Sequence, residues 1–121
     1  MNTVRVGKKH RDKTQAYLEG KGFSVAVVEF RTTYRRGGGR CRDTWGADLI
    51  AKDKRRLWFI QVKAARKRKD GSVVKDLEGP VREFSKFRPW PRSVRLYVSL
   101  CVKGTAVPTL IDVTKRVLSV L

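Results

Sequence analysis

The stretch ADLIAKDKRRLWFIQVKA, residues 47–64, decides the fold. Its second half, Leu57 to Ala64, is apolar and aromatic enough for a strand, and side chains on a strand alternate between faces. Trp58, Ile60, Val62 and Ala64 share one face; Leu57, Phe59, Gln61 and Lys63 share the other. An otherwise apolar strand thus carries an amide and an amine side by side, and burying either without a partner is costly. The first half, 47–52, reads as a second strand, and Asp53 to Arg56 turn the chain back. With a loop of Lys54-Arg55 alone, or of all four residues 53–56, Asp48 falls opposite Gln61. Directly opposed Cβ atoms stand about 5 Å apart, and Lys63 is then diagonal to Asp48 at roughly 7 to 8 Å. A three- or five-residue loop breaks this geometry, and Lys-Arg is not a favoured tight-turn pair.

On either side of the hairpin the pattern continues as alternating helix and strand. Residues 8–20 are rich in helix formers, with Gly20 and Gly22 as the stop. Residues 23–30 (FSVAVVEF) predict a strand. Residues 31–46 (RTTYRRGGGRCRDTWG) read as a basic loop, because three consecutive glycines do not hold a regular element cheaply. Residues 65–76 read as a second basic loop. Residues 78–88 predict a helix with Pro80 in its first turn and Val81, Phe84 and Phe87 at helical spacing, ended by Pro89-Trp90-Pro91. A strand over 93–102, an edge strand over 107–113 marked by Pro108, and a short helix over 115–121 complete the chain. The order α-β-β-β-α-β, then β-α, implies an α/β fold with a mixed sheet flanked by helices. At 121 residues the chain suits a single domain, 1–121.

Charge narrows the function. There are 29 Lys+Arg against 11 Asp+Glu, a formal net charge of +18. A fold gains nothing from that excess, since self-repulsion weakens the compact state, whereas a polyanion such as nucleic acid offsets it. Cys41 and Cys101 lack zinc-ligand spacing and read as free thiols. The polar start and the lack of a long apolar run point to a cytoplasmic protein, or a phage- or virus-encoded one acting in the host cytoplasm, with no membrane partner.

The opposed Asp48 and Gln61 offer two oxygen donors of the kind that hold Mg²⁺, with the main-chain carbonyl of Val62 as a further donor and Mn²⁺ as a substitute. Lys63 beside them can orient an attacking water or stabilise charge on a phosphate. Basic runs bracket these strands: Arg31, Arg35, Arg36, Arg40 and Arg42 precede Asp48, and Arg66, Lys67, Arg68 and Lys69 follow Lys63, where phosphates need to be held. Tyr34, Trp45 and Trp90 could stack on exposed bases, but core or loop packing is the better reading of any one of them. His10 lines up with Thr14, Tyr17 and Leu18 on the first helix and reads as an inward, structural histidine; Asp12 points the other way. Glu29 is a further acid without an assigned place.

Gly46-Ala47-Asp48-Leu49-Ile50-Ala51 followed by Phe59-Ile60-Gln61-Val62-Lys63 resembles the motif of the PD-(D/E)XK nuclease superfamily. The segment Leu18-Glu19-Gly20-Lys21-Gly22-Phe23, then a strand and a Gly/Arg loop, is similar to archaeal Holliday-junction resolvases. The resemblance spans most of residues 8–102 and implies a restriction-endonuclease-like αβββαβ core. It further implies Mg²⁺-dependent hydrolysis of phosphodiesters in branched or duplex DNA, with Asp48 as metal ligand and Lys63 as catalytic lysine. It implies a homodimer as well, for which the sequence has no signal of its own. Two departures stand out. Gln61 occupies the usual place of an acid, a QxK version similar to Mrr-type restriction nucleases. Where resolvases carry a glutamate on the first helix, Arg11 falls here, flanked by His10 and Asp12. Two other readings remain open: an inactive DNA-binding relative of the nucleases, which both departures favour, and an unrelated basic RNA-binding module.

Overall fold

The computed structural model describes residues 3–34, 38–42 and 44–119, with side chains described for 8–29 and 44–119. Helix α1 spans Thr3–Gly20, strand β1 Ser24–Val27, β2 Phe30–Tyr34, β3 Gly38–Arg42, β4 Leu49–Lys52 and β5 Leu57–Ala65. Helix α2 (Glu78–Ser85), β6 (Val94–Val102), β7 (Thr109–Asp112) and α3 (Thr114–Ser119) follow. Five strands form one sheet in the order β1-β4-β5-β6-β7. It is mixed: β1, β4 and β5 meander antiparallel, β6 lies parallel to β5 across the α2 connection, and β7 returns antiparallel at the edge. The α/β class with helices on both sides of a mixed sheet is therefore as the sequence predicts.

Alternation sorts the two faces. Leu18 and Phe23, from α1 and the turn after it, pack with Leu49, Ala51 and Ile60, against which Trp58, Val62 and Tyr97 rest. On the other face, Val81 and Phe84 of α2 and Val117 of α3 pack on Phe59, Leu96, Val98 and Leu100. The apolar stripe of α1 is thin, and polar side chains extend it. His10, Thr14 and Leu18 recur at four-residue spacing and all are buried. Thr14 satisfies itself on the sheet, with its hydroxyl 3.0 Å from the His10 carbonyl and 2.8 Å from the Ser99 hydroxyl.

One expectation changes. The stretch 31–46, read as a loop, contains an antiparallel hairpin of β2 and β3, paired from Phe30↔Arg42 to Tyr34↔Gly38. A ladder is made by backbone groups, so Gly38 and Gly39 can be carried by a partner strand, Phe30 to Tyr34, rich in β-formers. Some boundaries also shift. Helix α1 begins earlier than expected, at Thr3, and α2 ends at Ser85, which leaves Phe87 41% exposed rather than in the core.

Candidate active site

The hairpin register is the one that brings Asp48 to Gln61. Pairing runs from Leu49↔Ile60 to Lys52↔Leu57, and the loop closes with the Asp53 N–H on the Arg56 carbonyl at 3.1 Å. The Asp53 carboxylate makes this unfavoured Lys-Arg loop work. It accepts the backbone N–H of Arg55 at 3.0 Å and of Arg56 at 2.7 Å, an Asx turn, and grips the Arg56 guanidinium as well. Those bonds, led by the one from the Arg56 side chain, lower the Asp53 pKa to about 2.

Beyond Leu49 the chain bends away, and Asp48 finishes the ladder with its side chain. Its N–H donates to the Ile60 carbonyl at 2.9 Å, and its Oδ2 accepts the Val62 N–H at 2.8 Å. The departing strand no longer pairs Val62, so the carboxylate supplies the acceptor which that N–H needs. Asp48 is thus bonded to both neighbours of Gln61. A residue's N–H and C=O point to the same edge of a strand, so the Val62 carbonyl faces this way too.

Gln61 and Lys63 share the α2 side of the sheet with Phe59 and Ala65, both part of the core there. The Gln61 Oε1 is buried and has no hydrogen-bond partner. Leaving a buried acceptor unsatisfied costs about 1–3 kcal/mol, a cost shared by the nitrogens His10 Nδ1 and Arg11 Nε elsewhere in the molecule; of the three, only Gln61 offers an oxygen beside a carboxylate. The donor set Asp48 carboxylate, Gln61 amide oxygen and Val62 carbonyl fits a hard cation such as Mg²⁺. Among the described residues no three or more His, Cys, Asp or Glu side chains gather to hold a metal, so a cation here relies on that mixed set.

Lys63 reaches the loop before α2. Its Nζ donates to the Asp76 carbonyl at 3.1 Å and lies 3.5 Å from the Asp76 carboxylate. Lys63 is 34% exposed and Asp76 69%, so the pair is a surface one, weak enough for a phosphate to displace. Lys63, Arg66, Val74, Asp76 and Leu100 line an open cleft of about 370 Å³. Sequence spacing gave no hint of Asp76, which comes from a connection rather than from the strand pair.

The other expected residues divide. Arg66, Lys67, Arg68 and Lys69 are exposed on an arm more ordered than a plain loop. Lys67 bridges to Val73, the Arg68 N–H bonds the Ser72 carbonyl at 2.8 Å, and Val74 N–H the Arg66 carbonyl at 2.8 Å. Arg40 and Arg42 lie on β3, and Arg35 and Arg36 lie outside the described residues. The side chains of Arg31, Tyr34, Arg40, Cys41 and Arg42 are likewise outside the description. Asp12 is on the solvent side, bonded to Lys8 at 3.0 Å. His10 belongs to the α1 side of the sheet, opposite Gln61 and Lys63. Arg11 donates to Glu29 at 2.9 Å in a mostly buried pair, which gives that acid its place.

No family model, curated protein or solved structure matches the chain. Among the described residues no helix is long and apolar enough to cross a membrane.

Proposed function

We propose that the protein is a metal-dependent endodeoxyribonuclease of the PD-(D/E)XK kind, with a restriction-endonuclease-like core and Asp48, Gln61 and Lys63 at its centre. The observation that carries this reading is the unpartnered, buried Gln61 Oε1 between the two residues that Asp48 binds. Asp48, Gln61 and the Val62 carbonyl are the residues that hold the cation. Bound Mg²⁺ supplies Lewis acidity toward a phosphate and a water. Lys63 exchanges its contact with Asp76 for the phosphate and stabilises the charge that develops there. Arg66 to Lys69 neutralise the neighbouring backbone.

The test is cleavage of labelled four-way junction, linear duplex and single-stranded DNA with Mg²⁺, Mn²⁺ or EDTA. Wild type should cut only with metal. Asp48→Ala and Lys63→Ala should each lower the rate by about 100-fold or more while retaining DNA binding. Absence of cutting under every metal, with binding intact, supports the second reading: an inactive DNA-binding relative. That reading is favoured by the neutral Gln61 in an acid's place and by Arg11, paired to Glu29, where a helix acid is expected.

A further inference from the structure

Thr44 and Ala47 exchange backbone hydrogen bonds at 2.9 and 2.8 Å, closing a two-residue turn whose central residues are Trp45 and Gly46. Both are left-handed, with φ of 51° and 83°. Such mirror-image turns favour Asn-Gly or Asp-Gly, and a bulky aromatic with positive φ is an outlier that persists only where the surroundings enforce it. Here they do. The Thr44 hydroxyl donates to the Val28 carbonyl at 2.7 Å, and Gly46 lies so close to α2 that a Cβ would stand 3.1 Å from Phe84 Cδ1. This arrangement presents the indole to solvent. Trp45 is 54% exposed and leans on Phe59 at a ring-centroid distance of 5.9 Å. The other two tryptophans differ: Trp58 stacks on Tyr97, and Trp90 hydrogen-bonds the Phe84 carbonyl at 2.9 Å. Trp45 also sits in the chain between basic β3 and Asp48.

We propose that Trp45 is a stacking platform for an unpaired nucleotide beside Asp48, so that the protein prefers DNA with a base out of the helix to an intact duplex. This rests on the DNA-cleaving reading above and adds a substrate class to it. An indole fixed on a turn and backed by Phe59 offers a π-face at little entropic cost, and every base can stack on it.

The experiment measures binding, in EDTA so that nothing is cut, to an intact labelled duplex and to the same duplex carrying a single-stranded gap with 2-aminopurine. Wild type should favour the gapped DNA by about tenfold and quench the 2-aminopurine, within the range that stacking of one base gives. Trp45→Asn should abolish preference and quenching, yet bind the intact duplex within about twofold of wild type. Its Tm should stay within a few degrees, because Asn-Gly suits this turn. Trp45→Phe should keep most of the preference. Equal binding to both DNAs by wild type, or an undiminished preference in Trp45→Asn, overturns the stacking role and leaves the DNA reading standing. A collapse of Tm in Trp45→Asn makes Trp45 a structural residue and overturns it too. A wild type that binds neither DNA brings down the DNA reading and the stacking role together.

Discussion

At the scale of single residues, two buried polar groups carry measurable consequences. The Gln61 Oε1 is buried without a partner, as are His10 Nδ1 and Arg11 Nε, and replacing such a group by an apolar one of similar shape removes a penalty of about 1–3 kcal/mol. Gln61→Leu should therefore stabilise the fold by about 1 kcal/mol in denaturant unfolding while eliminating metal binding. Gln61→Glu should tighten Mn²⁺ by about tenfold or more in calorimetric titration, because a second carboxylate adds a favourable charge interaction with the ion. Loss of stability in Gln61→Leu would make the amide an ordinary structural side chain. The second group is His10. Burial, and then the Lys13 ammonium, hold its imidazole below its usual pKa of 6.5. The unfolded chain takes up the proton first, so the stabilising contribution is complete above about pH 6.5 and is lost as pH falls through the lower, folded value. Tm should fall from pH 7 toward pH 5 in wild type and fall less in His10→Gln. Asp53 does not blur the comparison, since its pKa of about 2 places its loss below pH 3.8. Parallel Tm profiles for the two proteins would show that His10 is not the group that titrates.

At the scale of elements, the turn before Asp48 offers the sharpest test of how the site is held. Gly46 combines φ of 83° with a missing Cβ that would press on Phe84. Gly46→Ala meets both the left-handed penalty and an overpacked contact, so it should cost about 2 kcal/mol in chemical denaturation. A change under about 0.5 kcal/mol would mean that α2 gives way freely. The same comparison of elements shows what sequence can reveal. The Asp48–Gln61 opposition was legible because strand period and loop length fix register by arithmetic, and Asp53 happened to cap the loop that the arithmetic required. The inward His10 was legible from helical periodicity, the edge position of β7 from Pro108, and the sheet flanked by helices from the order of elements. The β2–β3 hairpin was not. Its glycines argue against regular structure locally, while its stability comes from pairing with a partner strand that composition does not weigh. Asp76 was hidden because its closeness to Lys63 depends on the path of the β5–α2 connection. The strained turn was marked only by the dipeptide Trp45-Gly46, which, with Trp in the place of Asn or Asp, is a weak hairpin signal.

At the scale of the whole molecule, a formal charge of +18 has two consequences of opposite sign. Self-repulsion lowers the stability of the compact state, so added salt should raise Tm. Salt should weaken DNA binding, because each phosphate neutralised by a cation releases counterions, with log K falling against log salt by about 0.9 per contact. The ordered arm from Arg66 to Val74 tells whether this charge is placed or merely abundant. Its backbone is pinned by the Lys67–Val73 bridge and by the Asp70 carboxylate, which accepts both the N–H and the hydroxyl of Ser72. Removing its exposed cations should therefore leave the fold intact. The triple variant Arg66→Ala, Lys67→Ala, Arg68→Ala should keep or slightly raise Tm at low salt. If all three side chains meet phosphates, it should flatten the salt slope by about 2.7, measured by fluorescence anisotropy of labelled DNA over roughly 50 to 300 mM salt. An unchanged slope with intact affinity would put the phosphate contacts elsewhere, on the basic strands that lead into Trp45 and Asp48. The DNA would then be held by the β2–β3 hairpin, leaving the arm as a solvated surface whose charge serves solubility alone.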